Sequence, residues 1–218
     1  MPEQEASPPV VRVDLSETES HSEHVSSVSD LKPTQIPIRF DETWFSYGSE
    51  PVVRDINFSI TQSEFAAILG PNGSGKTTLM KLALGLLKPT SGQVLLFGEP
   101  AESFRDWNRV GYVPQRTQAT ESRFPASVRE VVNFGSYSGF NPLTLLSRSS
   151  SSRVGEAMEL AGIEHLANRR VSDLSVGQQQ RMLIARSLVR RPDLLLMDEP
   201  SAGVDAAGEE QFHAMIRR

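Results

Sequence analysis

Residues 70–77 read Gly70-Pro71-Asn72-Gly73-Ser74-Gly75-Lys76-Thr77, which matches the pattern G-x-x-x-x-G-K-[ST]. Three glycines let the backbone turn where a Cβ would clash. The apolar stretch Phe65-Ala66-Ala67-Ile68-Leu69 precedes the loop, and residues 76–87 follow it with helical spacing. A turn between a buried strand and a helix aims its N–H groups inward as an anion cradle, and the helix start adds positive potential. The Lys76 ammonium suits β- and γ-phosphates, and the Thr77 hydroxyl suits Mg²⁺. A chance match in a chain of this length is on the order of one per cent from average composition.

Outward from this loop, the chain alternates strands with helices. Ile38–Tyr47 alternates apolar and polar residues, and 53–60 reads as a second strand before the short buried strand at 65–70. Residues 93–98 and 110–115 also read as strands. Helical spacing occupies 127–135, 154–161 and 177–190, and Pro192 opens a final apolar strand, Asp193–Asp198. Residues 141–153 are polar and Ser-rich and read as a loop. The order implies an α/β fold with a largely parallel core sheet.

Two further motifs bear on chemistry. Leu194-Leu195-Leu196-Met197-Asp198-Glu199 is a buried strand ending in two acids, which lie at the carboxyl edge where open α/β sheets bind ligands. Asp198 suits Mg²⁺, and Glu199 can polarise a water for attack on a γ-phosphate. Leu174-Ser175-Val176-Gly177-Gln178 opens a helix with a Ser and a Gly, a second anion-binding start. Taken alone it is an ordinary capped helix; beside the loop at 70–77 it becomes a second phosphate contact.

Charge and composition narrow the class. Residues 1–36 hold seven acids and two bases and no aromatic residue, while the rest balances twenty acids against twenty bases. Residues 1–36 are therefore expected to be a disordered acidic tail. The balanced remainder lacks the basic excess of a duplex-binding domain, so no nucleic-acid partner is expected. Cysteine is absent, which excludes disulfides and thiolate metal sites. No apolar run approaches the roughly 18 residues of a membrane-spanning helix, and the acidic start does not read as a secretory signal.

Residues 38–218 resemble the ATP-binding subunits of ATP-binding-cassette (ABC) transporters. LSVGQ at 174–178 looks like the family signature, usually LSGGQ; Gln115 in Tyr-Val-Pro-Gln looks like the Q-loop glutamine; Ser201-Ala202-Gly203-Val204-Asp205 looks like the D-loop. Tyr47 looks like the aromatic that stacks on adenine. The resemblance implies a P-loop NTPase core with a parallel sheet flanked by helices, an antiparallel β subdomain, and a helical subdomain carrying the signature. It implies ATP and Mg²⁺ as bound species. Nucleotide contacts fall to Tyr47, Gly70 through Thr78, Ser175, Gly177, Gln178 and Asp205; Mg²⁺ falls to Thr77, Gln115 and Asp198; catalysis falls to Glu199 and Gln115.

The same resemblance implies a homodimer in which the loop of one subunit faces the signature of the other. It further implies an integral membrane permease docked near 115–135, an extracytoplasmic substrate-binding protein, and a peripheral position on the cytoplasmic face of the cell membrane. The phrases VGYVPQR, FPASVREVV and QQQRMLIARSL are similar to importers of divalent transition metals, zinc or manganese, and also occur in importers of iron chelates and cobalamin. DNA-repair relatives insert a long coiled coil between loop and signature, and no sustained heptads occur here.

Two features depart from the pattern. Val176 replaces a glycine, so this position must take an ordinary backbone angle or be strained. The family's switch histidine follows a further strand, whereas His213 reads as helical and the chain stops at Arg218. Residues 37–218 are therefore expected to be a cassette that is C-terminally incomplete, and a nucleotide-binding fragment without turnover stands as the alternative.

Overall fold

The computed structural model describes residues 10–14, 36–115, 125–137 and 148–198. It divides into two compact units, 1–105 and 106–218.

The first unit opens with β1 (Val10–Asp14), which departs from the expected disorder of the tail. Three valines in five residues give the segment high β-propensity. It pairs in parallel with β4 (Phe65–Leu69), in unbroken register from Val10↔Phe65 to Asp14↔Leu69. The rest of 1–36, apart from Ile36, lies outside the described residues.

A four-stranded antiparallel sheet follows, in the order β3 (Pro51–Ile60), β2 (Ile38–Ser46), β5 (Ser91–Leu96), β6 (Glu99–Pro100). β2 buries Ile38 and Phe40, then Thr43 and Phe45, so its inward phase slips by one residue. The slip is a bulge between Phe40 and Thr43. Glu42 takes φ 43° there, and its N–H donates to Asn57 Oδ1 at 2.6 Å. Opposite, a Cβ on Gly92 would lie 2.1 Å from Glu42 O, so only glycine fits.

Phe40 stacks on its cross-strand partner Phe58 with centroids 4.7 Å apart. Each such pair adds about 0.5–1.5 kcal/mol beyond its area. Helix α1 (Lys76–Ala83) buries Leu79, Met80, Leu82 and Ala83 in this unit. It stops short of the expected residue 87 because Gly85 turns left-handed at φ 63°.

The second unit pairs β7 (Val110–Val113) in parallel with β8 (Leu194–Met197), in register Val113↔Met197. Between them run α2 (Val128–Asn133), α3 (Arg148–Leu160) and α4 (Val176–Leu188). Their core comprises Val113, Val128, Val132, Val154, Met158, Ile163, Met182, Ile184 and Val189, all close to fully buried. Each such side chain stabilises by about 1.5–3 kcal/mol. The Ser-rich loop expected at 141–153 is helical from Arg148 onward. Serine disfavours helix only mildly, and burial of Val154, Ala157 and Met158 on the same helix outweighs it.

Thus the described residues carry parallel pairs, an antiparallel β region and a helical region, the components of an α/β P-loop NTPase. No helix among them is long and apolar enough to cross a membrane.

Candidate nucleotide-binding site

In the first unit, β4 ends directly at the loop 70–77. Gly70, Gly73 and Gly75 take φ of 147°, 85° and 98°. Gly75 is also pressed from outside: a Cβ there would meet Val52 O at 3.0 Å. The Ser74 N–H donates to Pro71 O at 3.2 Å and closes the turn, and the Leu79 N–H donates to Gly75 O at 2.8 Å and starts α1. Gly75 is the N-cap and has no side chain, so no cap bond covers the first-turn N–H groups. Those are the donors a helix start presents to an anion.

The Lys76 ammonium donates to Gly70 O and Pro71 O, both at 2.9 Å, and so reaches back across the loop. Ser74 Oγ is buried without a hydrogen-bond partner, an orphan hydroxyl that a phosphate oxygen would satisfy. Pro71, Asn72 and Gly73 are exposed, Lys76 and Thr77 half-buried, and Thr78 buried. β4 itself is half-buried, with Leu69 45% exposed, where the sequence implied a fully buried strand. Its one strand partner among the described residues is β1. Tyr47, just past β2, is 61% exposed and makes a T-shaped contact with Phe45, ring centroids 4.8 Å apart.

In the second unit, β7 and β8 share a carboxyl edge. The Asp198 N–H donates to Val113 O at 3.0 Å, extending the ladder, and Asp198 is 4% exposed. Gln115 is exposed two residues past Val113, so the parallel register brings Gln115 and Asp198 to one edge. Tyr112 bears on the same edge. Burial, and secondarily the Asp198 charge, push its phenol above its ordinary pKa. Glu199 and Asp205 lie outside the described residues.

The signature segment is resolved by its cap. Ser175 is the N-cap of α4: its Oγ accepts from the Gln178 N–H at 3.3 Å, and Gln178 Oε1 accepts from the Ser175 N–H at 3.0 Å. Gln178, expected at the nucleotide, thus has its carbonyl oxygen engaged in the cap. Val176 is the first helical residue and is not among those with positive φ, so no glycine is needed there. Ser175 is exposed and Gly177 half-buried.

Gln179 was not singled out from sequence. It is buried, and its Nε2 donates to Val171 O and Leu174 O at 3.2 Å each, fixing the turn that presents Ser175. A glutamine inside the apolar spacing of Leu174, Met182 and Leu183 was the available signal. A cleft of about 360 Å³ lies beside α2, lined by Pro125, Ala126, Glu130, Asn133, Phe134 and Tyr137.

The family model for ABC transporters matches residues 53–202, which contain the loop, Gln115, the signature and Asp198. The chain belongs to the ABC transporter family. Its helices and sheets are those of the family's ATPase domain, and it is the ATP-hydrolysing component. It is 37% identical over 82% of its length to the zinc uptake system ATP-binding protein ZurA of Listeria innocua, of which it covers 70%. It is also 37% identical, over 83% of its length and 71% of the relative, to the manganese transport system ATP-binding protein MntB of Bacillus subtilis. Among solved structures, cbiO1 of Clostridium perfringens, part of the ABC transporter complex cbiONQ, superimposes with a TM-score of 0.72 at 33% identity, over 84% of this chain and 73% of that one.

Proposed function

We propose that this chain binds and hydrolyses ATP to energise a membrane importer of a divalent transition metal, zinc or manganese. The observation that carries the nucleotide reading is the loop at 70–77, with Lys76 held across it and bare N–H groups at the start of α1. The metal reading rests on the relatives named for zinc and manganese transport.

In this reading the loop N–H groups, Ser74 Oγ, Lys76 and the first turn of α1, including Thr78, hold the phosphates, and Tyr47 stacks on the base. Thr77 of the first unit, and Gln115 and Asp198 of the second, each carry a hard oxygen donor of the kind Mg²⁺ takes. When bound, that cation would neutralise charge on the β- and γ-phosphates. Glu199 orients and deprotonates the attacking water. Ser175 and Gly177, together with Asp205, serve nucleotide held mainly by a second copy, so the working unit is a homodimer. The cleft beside α2 receives the permease, with Phe134 and Tyr137 as its aromatic wall. An extracytoplasmic binding protein delivers the substrate, and the subunit sits peripherally on the cytoplasmic face of the membrane.

The test is metal uptake into vesicles carrying the cognate permease and this chain. Zinc or manganese accumulation that requires ATP supports the assignment. ATP binding without phosphate release would favour a regulatory nucleotide-binding role instead.

A further inference from the structure

The peptide unit in front of the signature serine is pinned at both of its polar ends. A trans peptide is planar, so its C=O and N–H point opposite ways and turn together. In the unit joining Leu174 to Ser175, the Ser175 N–H donates to Gln178 Oε1 at 3.0 Å, and Leu174 O accepts from Gln179 Nε2 at 3.2 Å. Two adjacent glutamines thus fix the rotation of this plane, and with it the direction in which Ser175 leaves the chain.

Gln179 does more than its neighbour. Its Nε2 also donates to Val171 O at 3.2 Å, and its backbone N–H donates to Ser175 O at 2.9 Å. One residue therefore holds the carbonyls of 171, 174 and 175. Leu174 and Gln179 are both buried, so water is a poor substitute for the side-chain bonds. The start of the turn is anchored as well: the Val171 N–H donates to Ala126 O at 3.1 Å, and the Val128 N–H to Arg169 O at 2.9 Å.

We propose that Gln179 is a positioning residue for ATP turnover: it acts through Ser175, whose hydroxyl it aims at the nucleotide of the second copy. This role rests on the nucleotide contact given to Ser175 above; the pinned peptide does not. The loop at 70–77 belongs to the other compact unit, so loss of the pin should reach turnover and leave the affinity of that loop alone.

Gln179→Met keeps the length of the side chain and removes the donor. In the complex of the full chain with its permease, it should lower kcat for phosphate release at least tenfold, while the ATP Kd of the chain stays within twofold. Amides 173–175 should exchange with solvent at least fivefold faster, with α2 amides unchanged. Ser175→Ala should lower kcat at least as much. The double variant should fall no further than Ser175→Ala alone, because residues that act as a unit are not additive, whereas a merely structural loss would multiply.

A native kcat in Gln179→Met beside a lowered one in Ser175→Ala overturns the positioning role, and so does a double variant whose losses multiply. Unchanged exchange at 173–175 overturns the pin itself. A native kcat in Ser175→Ala overturns the nucleotide contact of the signature, and the role of Gln179 falls with it even where the exchange confirms the pin. Should the methionine variant fail to fold, Gln179→Asn, one methylene shorter, decides by the same kcat and the same double variant.

Discussion

Lys76 spends its ammonium on two carbonyls of its own loop, Gly70 O and Pro71 O. Phosphate oxygens are stronger acceptors for an ammonium than carbonyls because both partners are then ionised. Lys76→Ala is therefore expected to weaken ATP binding by about 2–3 kcal/mol, the cost of a lost bond to a charged group. Isothermal titration of both proteins checks this, and unchanged affinity would reject the loop as the phosphate site. Asp198 can be probed through Tyr112. Its raised phenol owes more to burial than to the Asp198 charge, so Asp198→Asn should lower the pKa only part of the way to its ordinary value. The neutral phenol's contribution to stability is fully present below the ordinary tyrosine pKa and is lost as pH rises through the raised one. Ultraviolet titration with Tyr47 and Tyr137 replaced by Phe leaves Tyr112 as the lone reporter. An unmoved titration in Asp198→Asn would mean the acid is not charged beside it.

The signature helix α4 shows how a local sequence rule and a tertiary constraint meet. Ser175 and Gln178 form a capping box, while Gln179 ties the preceding turn through Val171 O and Leu174 O. Ser175→Ala should cost about 1 kcal/mol, as for other N-caps. Gln179→Leu removes the Nε2 donor from Leu174 O and from Val171 O, which keeps the Leu174 N–H, and should cost about 1–3 kcal/mol. Urea unfolding measures both; a smaller loss for Gln179→Leu than for Ser175→Ala would show that the turn is held by packing instead. The capping box could be read directly, because Ser and Gln three apart satisfy each other's backbone within one turn. The loop at 70–77 was legible for the same reason: its chemistry lies in adjacent residues. The bulge at Glu42, the turn bonds of Gln179 and the pairing of β1 were not, because each depends on a partner distant in sequence. The helical start of α3 was hidden differently, since serines at 149–152 suggest a loop and only the burial of Val154 and Met158 makes them helical.

For the whole molecule, the telling fact is that one chain presents two candidate phosphate contacts, the uncapped start of α1 and the Ser175-capped start of α4, in separate compact units. In the proposed homodimer the first of one copy faces the second of the other, and a two-fold axis makes both sites equivalent. Nucleotide would then be the adhesive, and hydrolysis would release it. Glu199→Gln keeps the shape of the side chain but cannot take a proton from water as a carboxylate does. The variant should bind ATP as tightly as the native chain, lose phosphate release by at least a hundredfold, and run as a stable dimer in Mg-ATP while remaining monomeric in ADP. Light scattering coupled to gel filtration reads the mass, and a phosphate-release assay reads the turnover. Normal hydrolysis would remove Glu199 from the catalytic role, and a monomer in Mg-ATP would remove the signature helix from the partner's nucleotide.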